Sequence, residues 1–198
     1  MNILLSYGRK GQMNLRKIIL ILFAFLLIMP LTAKASGDLK NRVEVFSFLK
    51  RGYMAQVSLS EELRSKEEIR KVLNPYFSES YQKQFWSANI VMENGQYITY
   101  GTDFAEYYIP YYQFSERTKV VFMKNKIYVF EYFPQSSEGP VGYKSHYEGL
   151  LIKREKSGWK LDQYLFDHIP KNIIQKGKEA EIQESLVFSF LKIRLLYF

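Results

Sequence analysis

The chemistry open to this chain of 198 residues is narrow. It has no cysteine, which excludes thiolate nucleophiles, disulfides, iron–sulfur clusters and cysteine-ligated zinc. It has two histidines, His146 and His168, which excludes zinc sites built on three imidazoles. If Lys156-Ser157-Gly158 is a three-residue hairpin loop, Glu155 faces Trp159 and the ladder sets His146 opposite His168. Glu148 then lies two positions along on the same face, completing a set of two imidazoles and a carboxylate that suits a divalent metal. In that register Arg154, Lys160 and Asp162 share the face, while Leu151, Trp159, Leu161 and Leu165 lie on the other. The metal set therefore reads as solvated, which is a poor setting for supported ligands. His146, Glu148 and His168 are carried as a candidate set, and no metal or other cofactor is assigned.

A second constellation is aromatic, formed by Tyr97, Tyr100, Tyr107, Tyr108, Tyr111 and Tyr112. A tyrosine ring offers apolar area with a polar tip, so Tyr97, Tyr100, Tyr108 and Tyr112 could line a surface for a small ligand. The competing reading is a sheet filled by residues of high strand preference. Asp103 and Glu106 are the neighbouring carboxylates available for acid–base work. No polar dyad accompanies them, and no residue is assigned as catalytic.

The elements that must position these residues change character near Gly95. Before it, Val43, Phe46, Leu49, Tyr53 and Val57 recur at spacings of three and four, which predicts a helix with one apolar stripe. Ser65 with Glu68 forms a capping box for a short second helix carrying Ile69, Val72 and Leu73, stopped by Asn74-Pro75. Ser78 caps a third helical segment bearing Tyr81, Phe85 and Trp86, and Asn94-Gly95 closes it with a turn. After Gly95 the pattern becomes β-branched and aromatic. Strands are predicted over Gln96–Phe104, over Val120–Met123 and Ile127–Phe133 around Lys124-Asn125-Lys126, and over His146–Glu155 and Trp159–Asp167. Tyr107–Phe114 reads as an edge or irregular stretch because Pro110 cannot donate to a central ladder.

Residues 1–35 carry Arg9, Lys10, Arg16, Lys17 and Lys34 and no acid, with an apolar run from Ile18 to Met29 ended by Pro30. A basic segment, an apolar run too short to span a bilayer, and Ala33-x-Ala35 before Ser36 are the parts of a secretory signal peptide cleaved after Ala35. The formal net charge of +8 falls to +3 on removal of those residues. The remaining cations are interleaved with acids, which argues against nucleic acid as a partner. The apolar tail Ser185–Phe198, broken by Lys192 and Arg194, is too short to span and could lie at a membrane interface, dock on a partner or form a terminal strand.

Helices followed by an antiparallel meander predict an α+β fold, with N-terminal helices on one face of a curved sheet. The predicted organisation is a signal peptide over 1–35, one domain over 36–170, and a C-terminal helix with an apolar tail over 171–198. Together with Pro75-Tyr76-Phe77-Ser78 and Gly158-Trp159-Lys160-Leu161, the order of elements resembles the cone-shaped NTF2-like superfamily, including its SnoaL-type members. Tyr97-Ile98-Thr99-Tyr100-Gly101-Thr102-Asp103-Phe104 with Tyr107-Tyr108-Ile109-Pro110 resembles a family of exported proteins of unknown function from Bacillus-type, Gram-positive bacteria. The expectation is a secreted or cell-surface domain that binds a small ligand or an envelope component without chemistry. It would meet the membrane only through the signal peptide or the tail. The SnoaL-like resemblance implies the alternative, an isomerase or hydrolase using carboxylates in the cone.

Overall fold

A computed structural model describes residues 37–101, 105–137 and 142–180, all within one compact unit. Ala33, Ala35 and Ser36, with the rest of the predicted signal peptide, lie outside the described residues, as do Asp103 and the tail 185–198. Among the described residues no helix is long and apolar enough to cross a membrane.

Three α-helices lead. Helix α1 (Arg42–Val57) opens with a capping box in which the Asn41 side chain accepts the Glu44 amide at 3.0 Å and the Glu44 carboxylate accepts the Asn41 amide at 3.2 Å. A 3-10 turn (Ser58–Ser60) follows. Helix α2 (Lys66–Leu73) has the predicted Ser65–Glu68 box: Glu68 accepts the Ser65 amide at 2.8 Å, and this bond, first among several, holds its carboxyl below the usual range. Helix α3 (Glu79–Asn89) is capped by Ser78.

The predicted third helix ends earlier than its turn signal. Ile90–Glu93 is a strand, β1, paired antiparallel with β2 (Gln96–Thr99) across Asn94 (φ 48) and Gly95 (φ 80). Two successive left-handed residues make a type I′ turn, which twists a hairpin correctly and explains why Asn-Gly stands there. The strand predicted over Gln96–Phe104 stops at Thr99. Tyr107–Phe114 is irregular, with Tyr107 (φ 63) and Phe114 (φ 51) both left-handed.

The main sheet is an antiparallel meander of β3 (Lys119–Met123), β4 (Lys126–Phe133), β5 (His146–Glu155) and β6 (Gly158–Tyr164) in that order. The chain is thus α+β, with a four-stranded sheet and a separate two-stranded hairpin. One face of the sheet presents Ile127, Val129, Leu150, Ile152, Trp159 and Leu161 to the apolar faces of α1, α2 and α3. The opposite face is also covered: the segment helical over 171–180 (α4) places Ile173 with Ile169 on Val121 and Phe130. Close approach there uses glycines. A Cβ on Gly149 would meet Ile169 Cγ1 at 2.6 Å, and one on Gly177 would meet the Phe130 ring at 2.7 Å. The free edge of β6 is blunted by the α2–α3 linker, where the Ser78 amide donates to Leu161 O at 2.9 Å and the Leu161 amide to Tyr76 O at 2.8 Å.

The register of the last hairpin differs from the expected one. Glu155 pairs with Gly158, so the loop is the two residues Lys156-Ser157, with Gly158 left-handed (φ 115) as the first residue of β6. Arg154 pairs with Trp159 and Ile152 with Leu161. A bulge then shifts the ladder so that Leu151 pairs with Gln163 and Leu150 with Tyr164. A one-residue shift moves every side chain to the other face. The even-numbered residues of β5, including His146 and Glu148, therefore share the helix-covered face with Leu150 and Ile152, and the solvated face expected for them is corrected.

Candidate functional site

The first predicted site is assembled only in part. His146 and Glu148 meet, with Nε2 to Oε1 at 3.2 Å, in side chains that are 15% and 21% exposed. His168 does not join them: β6 ends at Tyr164, the His168 amide closes a turn onto Leu165 O, and the residue is exposed. Among the described residues no group of three His, Asp or Glu side chains is arranged to hold a metal. In place of a metal, His146 has aromatic rings on its faces. Phe133, its cross-strand partner, stacks at 5.6 Å, Phe166 stacks at 5.0 Å, and Tyr143 meets the ring edge-on at 5.4 Å.

Both ring nitrogens of His146 are engaged. Nδ1 lies 2.8 Å from Lys144 O, which can only accept, so Nδ1 carries a proton. Nε2 lies 3.2 Å from Glu148 Oε1. The second oxygen of Glu148 accepts from the Tyr164 hydroxyl at 3.0 Å. Burial first, then the Glu148 charge and this hydrogen bond, push the Tyr164 phenol well above its usual value, so it stays a neutral donor. The bulge at Leu151/Ile152 makes this contact possible by returning Tyr164 to the helix-covered face. Glu131 sits directly across from Glu148, buried, and accepts from the Thr118 hydroxyl at 2.7 Å and the Gln113 amide at 3.0 Å. The cluster joins β4, β5 and the segment after β6, and its polar atoms are turned on one another.

The four predicted tyrosines differ in burial and in the rings they meet. Tyr112 is buried, its hydroxyl donating to Glu148 O at 3.2 Å, and burial holds the phenol well above its usual value. Tyr97 packs against Trp86 at 5.0 Å on the small hairpin, and Tyr108 against Phe85 at 5.1 Å. Tyr100 is 60% exposed. Tyr112 belongs to the core.

A concave surface that the sequence reading passed over lies on the outer side of α1. An open groove of about 830 Å³ runs along Val43, Phe46, Lys50, Arg51 and Met54 and is closed on its far side by Val72, Pro75 and Tyr76 from α2 and the linker after it. Its α1 residues recur at spacings of three and four, the pattern of a helix seam. Val43 and Met54 stand 75% and 62% exposed, an apolar stripe left unspent by the core. Part of the signal is present in sequence, since Val43 and Phe46 head the predicted stripe, but Leu49 of the same stripe is buried in the core. The core face of α1 is Val45, Phe48, Leu49, Gly52 and Gln56. Lys50 rests over the Phe114 ring at 4.8 Å and Arg51 donates to Ser47 Oγ at 2.7 Å. The groove lining contains no acidic residue and no histidine.

Residues 41–133 match a family described as protein of unknown function (DUF3993). The match starts at the cap of α1 and ends with β4, so it takes in the whole groove and leaves out His146, Glu148 and Tyr164. No curated protein and no solved structure matches the chain.

Proposed function

We propose that this is an exported protein of the cell surface or medium, whose folded domain binds a small ligand or envelope component without chemistry, in the groove on α1. The observation that carries the binding reading is the groove itself, whose volume lies within the range of small-molecule sites and whose apolar wall is already formed. An acid–base enzyme needs a carboxylate or imidazole facing its substrate. The groove lining offers neither, and the half-buried His146–Glu148 pair is flanked by Phe133, Phe166 and Tyr164. Export rests on the basic start, apolar run and Ala33-x-Ala35 of residues 1–35. The resemblance to the NTF2-like superfamily belongs to the same proposal, supported by helices that precede a four-strand meander.

The chain has six methionines, and Met54 lies in the groove, so its methyl resonance in methyl-labelled full-length protein is a local reporter. Titration with the neutral apolar probe N-phenyl-1-naphthylamine is expected to shift the Met54 signal saturably, and Val43→Glu to abolish the shift. A Met54 signal that stays put through saturation of the probe would overturn the binding reading. For export, N-terminal sequencing of protein recovered from the medium and from membranes is expected to begin at Ser36.

A further inference from the structure

Resting on the groove as the binding site, we infer that its occupant is an anionic amphiphile, an acidic lipid whose chain lies on the apolar wall and whose headgroup meets Lys50 and Arg51. The charge pattern carries the inference. Lys50 and Arg51 sit midway along the stripe, both exposed, and neither has an acidic partner among the described residues. What sets these two apart is their place: they are the two cations of a lining that is otherwise apolar apart from Ser47 and Tyr76 and holds no acid. An apolar concavity with two unmatched cations and no acid suits a ligand with an apolar body and a negative group.

The apolar wall indicates where the chain lies. Met54 and Ala55 of α1 share the groove lining with Val72, Pro75 and Tyr76, which together supply apolar surface beside the two cations. From Val43 to Met54 the stripe extends about 16 Å along the helix at ~1.5 Å per residue, room for an extended acyl chain. A guanidinium forks onto two phosphate oxygens where an ammonium offers a point charge, so Arg51 fixes the headgroup and Lys50 adds field. The apolar tail of this same chain is a poorer occupant on charge, since it carries Lys192 and Arg194 and no acid after Ser185.

The test uses the full chain with the Met54 methyl as reporter and two short-chain lipids kept below their micelle concentrations, dihexanoyl phosphatidylglycerol and dihexanoyl phosphatidylcholine. The acidic lipid is expected to bind at least tenfold more tightly, with a preference that shrinks as salt is raised. Lys50→Gln with Arg51→Gln, both at exposed positions, is expected to reduce the ratio to near unity while N-phenyl-1-naphthylamine still shifts Met54. Equal binding of the two lipids, or a preference untouched by the double substitution, would overturn the anionic inference and leave the apolar groove standing. Failure of the lipids and the neutral probe alike to move Met54 would remove both.

Discussion

The buried amide of Gln56 makes the sharpest quantitative test of this fold. Gln56 lies on the core face of α1 with no exposed surface, where its Nε2 donates to Tyr107 O at 2.7 Å and its Oε1 accepts the Ile109 amide at 2.9 Å. It thus braces the irregular 107–109 segment, including the left-handed Tyr107, against the helix. Gln56→Met keeps the length and volume of the side chain but leaves the buried Ile109 N–H without its acceptor. A lost hydrogen bond costs about 1 kcal/mol net and a stranded buried donor about 1–3 kcal/mol more, so the substitution should cost about 2–4 kcal/mol. Tyr107 O is better protected, because the Tyr81 hydroxyl also donates to it, at 2.8 Å. Tyr81→Phe alone should therefore cost only about 1 kcal/mol. The double substitution strips both donors from the same carbonyl and should exceed the sum of the two by about 0.5 kcal/mol or more. Urea unfolding of the full chain measures all three. A Gln56→Met loss under about 0.5 kcal/mol, or strict additivity, would refute the bracing role.

Two further predictions follow from the sheet. Burial acts to raise the Asp162 carboxyl, but hydrogen bonds from Lys153, Ser78 and Ser80, with the Lys153 charge, overcome it and hold the group below its usual value. Its stabilising contribution is therefore present above the unfolded value of about 3.9 and is lost as pH falls through the lower folded value. The gap in urea midpoint between wild type and Asp162→Asn should be wide at neutral pH and close below about pH 4; a constant gap would contradict this assignment. His146→Ala removes two stacked ring contacts at roughly 0.5–1.5 kcal/mol each and should destabilise by about 2 kcal/mol in the same assay, against no loss if the ring were idle.

How far the sequence carried differs from element to element for reasons that can be named. Ser65–Glu68, Ser78 and Asn94-Gly95 act through local chemistry, and each marks a real boundary because the partners lie within three residues. Asn94-Gly95 even outran the reading of it, since a type I′ turn requires a strand on both sides and the helix had to end at Asn89. Register is a different matter. Whether Gly158 closes the loop or opens β6 depends on one left-handed residue, and an error of one there inverts the faces of β5 relative to those of β6. The bulge compounds the effect, because it restores the expected numbering only beyond Ile152, where Leu150 meets Tyr164. The His146–Glu148 contact was thus legible as two residues apart on one strand, whereas its Tyr164 partner and His168's exclusion depend on where that strand bends and ends.

Helix α1 shows why an apolar stripe is not by itself a core. Its inner face carries Gly52, needed because Ile109 Cδ1 would stand 3.0 Å from any Cβ there, and Gln56, needed to pair a backbone that has no ladder. Both lower the apparent hydrophobicity of the face that is in fact buried. Val43 and Met54 meanwhile sit on a face that the fold leaves open. A helix whose two faces are both apolar has more nonpolar surface than one sheet can cover, and the excess here is gathered into a groove with its cations at the centre. The predicted stripe is thus divided between the two faces, with Leu49 in the core while Val43 and Phe46 line the proposed binding site.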